Sequence, residues 1–88
     1  MDNNSLTISP QILKGEAFSD KCDIWSLGII IYYMLFRSYP YNGNGEYQII
    51  KDIESKKQLK EIKHKELKDL VHQMLLINEN ERRMFFNL

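Results

Sequence analysis

Residues 24–36 read Ile-Trp-Ser-Leu-Gly-Ile-Ile-Ile-Tyr-Tyr-Met-Leu-Phe, and this run limits the possible folds more than any other part of the chain. Apart from Ser26 and Gly28 it is apolar on every side of a helix, whereas a helix on a protein surface shows one apolar stripe. Such a rod is stable only when neighbours surround it. About a dozen residues fall short of the roughly 20 needed to cross a bilayer, so those neighbours have to be protein. Ser19-Asp20 supplies an N-cap candidate and an acid in the first turn, which predicts a helix starting near residue 20.

The other segments are assigned by their breakers and periods. Residues 1–9 read as a loop, with Pro10 holding Ser9 in extended or turn geometry. Pro40 and the run Asn42-Gly43-Asn44-Gly45 mark a loop from Arg37 to Gly45. Tyr47, Ile50 and Ile53 recur at i, i+3, i+6 among Lys51, Asp52 and Glu54, which predicts a short amphipathic helix with those three on its apolar face. Lys56 to Lys65 is rich in lysine and glutamate around isolated Leu59 and Ile62 and reads as a solvated connection. Leu67, Leu70, Val71, Met74 and Leu75 fall at i, i+3, i+4, i+7, i+8, the pattern of a helix with one buried face. Asn78-Glu79-Asn80 is expected to end that helix, and Arg82 to Leu88 to open a further helical turn. The expected fold class is all-α, with about four helical segments behind a leading loop.

Composition narrows the partners. Twelve basic residues balance twelve acidic ones, which removes the electrostatic case for nucleic acid or an anionic membrane and leaves a protein as the expected partner. Cys22 is the single cysteine, so no internal disulfide forms and a reducing compartment, cytoplasm or nucleus, is expected. Met1-Asp-Asn-Asn carries no basic region ahead of an apolar stretch and does not read as a secretory signal. His64 and His72 have no spacing with Cys22 or each other that suits a metal site; they read as surface or interface histidines. The tyrosines read as rim or core residues and not as a base-stacking set.

Three blocks, in order and in register, carry a family resemblance: Ser9-Pro10-Gln11, Asp23-Ile24-Trp25-Ser26-Leu27-Gly28, and Met74-Leu75 followed by Arg82. They resemble, in the C-terminal lobe of eukaryotic protein kinases of the serine/threonine type, the Ala-Pro-Glu that closes the activation segment, the Asp-x-Trp-Ser-x-Gly that opens the central buried helix, and the Met-Leu-x-x-Asp-Pro-x-x-Arg near the domain's end. Tyr39-Pro40-Tyr41 falls where the family has a Pro-Pro-Phe-like step. The resemblance covers essentially residues 1–88, which it identifies as part of a kinase domain, from the end of the activation segment to near the domain's C-terminus.

The resemblance implies roles for particular residues. Asn4, Ser5, Leu6 and Thr7 align with the loop that meets the substrate. Asp23 matches the aspartate that accepts hydrogen bonds from the catalytic-loop backbone, a task that suits a carboxylate because charge-assisted bonds are about twice as strong as neutral ones. Trp25 matches the ring that packs beneath the activation segment, and Ile30 and Met34 match the positions on which the family's apolar spines rest. Gln11 and Arg82 match the two halves of a latch between activation segment and lobe end. Without the resemblance, Asp23 is an ordinary acid at a helix N-terminus, and Trp25, Ile30 and Met34 are generic core.

The sequence also departs from the family. Asn4 stands where a threonine hydroxyl is usual, unless the register slips so that Ser5 serves. Gln11 replaces the glutamate that usually pairs with the arginine, which predicts a looser or solvated latch, since removing one partner of a buried pair typically costs several kcal/mol. Arg37 occupies a usual glycine position, Asn78-Glu79 replaces Asp-Pro, and Tyr33 replaces a frequent glutamate, so a preference for basic substrate residues finds no support there.

Phosphoryl transfer requires a glycine-rich loop, a strand lysine, a catalytic-loop aspartate and asparagine, and a magnesium-binding aspartate. None of these motifs lies in the 88 residues. The resemblance therefore implies no catalytic, cofactor-binding or metal-binding residue in this chain, with ATP and Mg2+ bound only by an intact parent and no activity or specific ATP affinity from these residues alone. The parent is either a working serine/threonine kinase acting on a protein substrate or a pseudokinase kept as a protein-binding module. An unrelated, self-sufficient helical domain would instead cover its own central helix, whereas a kinase part leaves apolar surface open to association.

Overall fold

The computed structural model describes residues 6–17 and 19–82. It contains α1 (Pro10–Leu13), α2 (Asp20–Phe36), α3 (Gly45–Glu54) and α4 (Lys65–Met74), then a 3-10 turn at Glu79–Glu81, with no strand among the described residues. The all-α expectation holds. Helix α2 begins at Asp20, as its cap signal predicts, with Asp20 and Asp23 in the first turn, where the helix dipole favours negative charge. It stops at Phe36 because Arg37 turns left-handed, φ 56 and ψ 27, its N–H bonding the Tyr33 carbonyl.

The four helices are not quite the four expected. Helix α1 was not foreseen: Pro10 sits at its first position, where a fixed φ and a missing N–H cost nothing, but a single turn leaves no period to detect. The further turn expected over Arg82 to Leu88 lies, apart from Arg82, outside the described residues. Asn78-Glu79-Asn80 forms a turn after α4 has ended, with the Asn80 N–H donating to the Asn78 Oδ1 at 2.9 Å and the Glu81 N–H to the Asn78 carbonyl at 3.0 Å.

One side of α2 makes the core. Trp25 and Ile29 are buried in one cluster with Tyr41, Ile49, Ile53, Ile62, Val71 and Leu75, aliphatic side chains each contributing about 1.5–3 kcal/mol when fully buried. Tyr32 is buried with its ring against Phe36. The Trp25 and Tyr41 rings stack at 5.9 Å with 14° between planes. Burial pushes the Tyr41 phenol above its ordinary pKa, with Tyr32 nearby adding to the effect. Helix α4 crosses α2 at Gly28, where a Cβ would lie 2.7 Å from the Met74 Cβ and 3.0 Å from the Leu75 Cδ2. The lack of a side chain at Gly28 is what lets the two backbones approach.

Two sequence readings need correction. In α3 the buried residues are Ile49 and Ile53, with Ile50 half-buried. Tyr47 is 72% exposed, with the Lys51 ammonium 5.3 Å from its ring centre. The three isoleucines define the inward arc, and Tyr47 lies outside it because its hydroxyl is better left in water. The stretch 56–65 is not merely solvated. Ile62 enters the core at 5% exposure, and the Lys60 N–H donates to the buried Tyr32 hydroxyl at 2.9 Å. Lys14 and Glu54 form an ion pair between α1 and the end of α3.

Candidate functional site

Two features of the fold bear on function, a buried polar knot and an uncovered helix stripe. The knot is centred on Arg82, which is 1% exposed. Its Nε donates to the Leu76 carbonyl at 2.6 Å, its Nη1 to the Lys21 carbonyl at 2.8 Å, and its Nη2 to the Gln11 Oε1 at 2.8 Å and the Ile77 carbonyl at 3.1 Å. The guanidinium lies over the Trp25 ring, 5.0 Å from its centre, in reach of a cation–π attraction. Only a planar fork of donors reaches acceptors in so many directions.

Gln11 completes the knot from the other end of the chain. Its oxygen accepts from Arg82 while its Nε2 donates to the Ile77 carbonyl at 2.8 Å. The looser or solvated latch expected from a neutral amide is thus not what forms: Gln11 is buried, at 9% exposure, and both ends of its amide are bonded. A carboxylate could accept from Arg82 but not donate to Ile77. Lys21 closes the arrangement, its Nζ donating to the Arg82 carbonyl at 2.6 Å while its own carbonyl accepts from that arginine. Helix α1, the first turn of α2 and the turn after α4 are tied at one point.

The stripe lies on α2. Asp23, Leu27, Ile30 and Met34 follow i, i+4, i+7, i+11 and so share one face. Leu27 is 39% exposed, Ile30 46% and Met34 68%, with Tyr33 beside them at 37%. Asp23 is exposed too. The rod that the sequence reads as needing enclosure is covered on one side and bare on the other.

Of the residues singled out in the sequence, Gln11, Trp25 and Arg82 come together in the knot, while Asp23, Ile30 and Met34 come together on the stripe. Leu6 packs against the core and is half-buried. The Thr7 carbonyl accepts from the Ser26 Oγ at 2.7 Å, fixing the leading segment to α2. Asn4 and Ser5 lie outside the described residues. His64 and His72 are exposed, the His64 Nδ1 accepting from the Leu67 N–H at the start of α4. Among the described residues no three His, Cys, Asp or Glu side chains group as a metal site requires. No helix among the described residues is long and apolar enough to cross a membrane.

Sequence reasoning missed Lys21 and the role of Gly28. Lys21 acts through the main chain of Arg82, which leaves no trace in residue spacing. Gly28 did leave a signal, because a glycine inside a helix costs about 1 kcal/mol against alanine and, where kept, points to close packing.

A family model described as "Protein kinase domain" matches residues 5–87. Calcium-dependent protein kinase 4 of Plasmodium berghei (strain Anka) is 43% identical over 75 residues, which cover 78% of this chain and 14% of that protein; its namesake in Plasmodium falciparum gives the same figures. Serine/threonine-protein kinase YPK3 of Saccharomyces cerevisiae is 44% identical over 50 residues, 57% of this chain and 10% of its own length. Among solved structures, the twitchin kinase region from C. elegans matches with a TM-score of 0.78 at 20% identity, over 92% of this chain and 15% of that one, a likeness of fold. The chain thus spans a small part of the length of each protein it resembles.

Proposed function

Since the chain belongs to the protein kinase domain family, as a C-terminal-lobe part of serine/threonine type, we propose that it serves a parent enzyme that transfers the γ-phosphoryl group of ATP to serine or threonine hydroxyls of proteins. In this reading residues 1–88 run from the end of the activation segment to near the domain's end. They supply support and not reacting groups. Residues 4–7 form part of the loop that meets the substrate, the Gln11–Arg82 latch anchors that loop's far end, and Asp23 and Trp25 support the catalytic loop. Ile30 and Met34 carry the apolar spines. ATP and Mg2+ are bound by parts of the parent outside these residues, since the motifs that hold them are not among the 88.

The observation that carries this reading is the division of α2. Its knot side is finished inside the chain, while its other side presents Leu27, Ile30 and Met34 to solvent, with an exposed carboxylate, Asp23, at the head of the stripe. Apolar residues aligned on one face, next to an acceptor-only group, suit a neighbour that brings both apolar surface and N–H donors. Asn4, where a threonine hydroxyl is usual, favours the second reading, a pseudokinase-type module that binds protein without catalysis.

The test is to express the chain alone and joined to the coding sequence upstream of it, then to measure folding and phosphoryl transfer from labelled ATP to a protein substrate. Alone it should be inactive and associate through the bare stripe; joined, it should fold cooperatively and transfer phosphate to serine or threonine. A joined protein that folds without transfer establishes the binding-module reading. A chain that is by itself a monodisperse monomer with a cooperative thermal transition overturns the proposal that its stripe awaits a cover.

A further inference from the structure

A second surface, apart from the stripe and bordering the knot at Gln11, Leu76 and Ile77, has the makings of a binding site. A groove of about 900 Å³ runs between the connection that follows α3 and the segment that follows α4. Leu59, Leu75 and Ile77 supply its apolar lining, and four lysines, Lys56, Lys57, Lys60 and Lys68, line it together with the carboxylates of Glu61 and Glu81. In a chain with no net charge, residues 56–65 hold five lysines and one glutamate. The positive charge is concentrated here.

Three of the groove lysines are uncommitted. Lys60 turns toward the Ser38 hydroxyl and the Phe36 ring. The ion pairs among the described residues are Lys14–Glu54 and His64–Glu66, so no carboxylate there neutralises Lys56, Lys57 or Lys68. Lys56 is also held in the left-handed region at φ 57, where glycine would be unstrained. Its N–H bonds the Ile53 carbonyl and that of Lys57 bonds the Asp52 carbonyl. A turn that keeps a lysine in a glycine conformation is the kind of local strain that accompanies a used side chain.

We propose that this groove docks an acidic segment of a protein partner, whose carboxylates pair with Lys56, Lys57 and Lys68 while an apolar side chain rests on Leu59, Leu75 and Ile77. A concave apolar lining with a basic rim suits a peptide better than a membrane, which meets a flat or convex face. The balanced charge elsewhere gives nucleic acid no extended track. The proposal does not depend on phosphoryl transfer, and its readout is binding.

The experiment uses the full-length protein that carries this chain and a short fluorescein-labelled peptide of glutamates around a central leucine, followed by anisotropy. Exposed ion pairs are each worth roughly two- to threefold in affinity, so Lys56→Glu, Lys57→Glu and Lys68→Glu together should weaken binding by about tenfold or more. Replacing the peptide's glutamates by glutamines, or its leucine by serine, should weaken binding without touching the protein. Lys51→Glu, outside the groove, should leave it unchanged. Equal affinity for the glutamate and glutamine peptides, or a triple variant that binds as the parent does, overturns the proposal. So does capture by phosphatidylserine vesicles through these lysines when the peptide fails to bind.

Discussion

Arg82→Ala removes the centre of the buried knot, and its cost can be worked from the contacts. The Leu76 carbonyl, the Lys21 carbonyl and the Gln11 Oε1 each lose a donor held at 2.6–2.8 Å. Ile77 keeps a donor, because the Gln11 Nε2 still reaches its carbonyl. The Lys21 carbonyl, inside α2, also keeps its helical N–H partner four residues on, so two orphaned acceptors remain, each costing about 1 kcal/mol when water can partly replace the donor and up to about 3 when it cannot. Loss of the cation from the Trp25 face adds about 1 kcal/mol. The sum, about 3 kcal/mol at the lower end, is set against a net stability of about 4–13 kcal/mol for 88 residues at typical values per residue. Arg82→Lys keeps the charge but offers a compact ammonium in place of a fork, reaching some of these acceptors and not all, so it should lose about half as much. The assay is hydrogen exchange of the full-length protein, read at the amides of α1, the first turn of α2 and residues 76–82. Alanine should abolish slow exchange at all three together, since one guanidinium ties them, and lysine should reduce it in step. If Arg82→Ala leaves protection within about 1 kcal/mol of the parent, a surface-pair value, or loosens only residues 76–82, the knot does not join the three elements.

Gly28→Ala sets two effects against each other: alanine gains about 1 kcal/mol of helix propensity, but its Cβ would meet the Met74 Cβ at 2.7 Å, and a Cβ fixed to a helix backbone yields only if α4 moves, at about 1–3 kcal/mol. The expected outcome is a net loss of up to about 2 kcal/mol in urea titration, and a gain in stability would show that α4 moves freely. Arg37→Gly should stabilise by about 0.5–1 kcal/mol, because the left-handed conformation at φ 56 is costly for a residue with a Cβ while the glycine gain is trimmed by a freer unfolded chain; Arg37→Ala serves as control, and an equal gain from both would show that backbone strain is not the cause.

The parts of this fold that show in the sequence are those with enough residues to set a period or a cap. Helix α2 is announced by its apolar run and by Ser19-Asp20, and α4 by five apolar positions in helical register. Helix α1 is a single turn and gives no period. The existence of α3 is legible but not its face, because a reading by spacing weighs Tyr47 and Ile49 equally whereas burial favours the isoleucine. Ile62, alone among lysines, looks solvated until a neighbouring helix presents the buried ring of Tyr32 to the backbone at Lys60. In the site, the common face of Asp23, Ile30 and Met34 is helix arithmetic. Gln11 and Arg82 lie 71 positions apart, and no local pattern joins them; their pairing could be anticipated only from the family resemblance. That the amide satisfies the arginine at one end and Ile77 at the other needed the geometry, because a substitution from acid to amide reads in sequence only as a lost charge.

The bare face of α2 ties stability to function. Burying an aliphatic or aromatic side chain fully is worth about 1.5–3 kcal/mol. Leu27, Ile30, Tyr33 and Met34 stand between 37% and 68% exposed, so covering each gains roughly 1 kcal/mol. Together that is about 4 kcal/mol, the same order as the net stability of a whole chain this size. On the proposed reading, enclosure of the stripe by the rest of a parent is therefore energetically inseparable from folding of the chain itself. Any variant that weakens the knot lowers the stability to which that enclosure adds, and any variant that makes the stripe polar removes the enclosure while leaving the knot's hydrogen bonds intact. The two faces of one helix can thus be weakened separately, yet either loss falls on a chain whose margin is of the same order as the contribution of one of them.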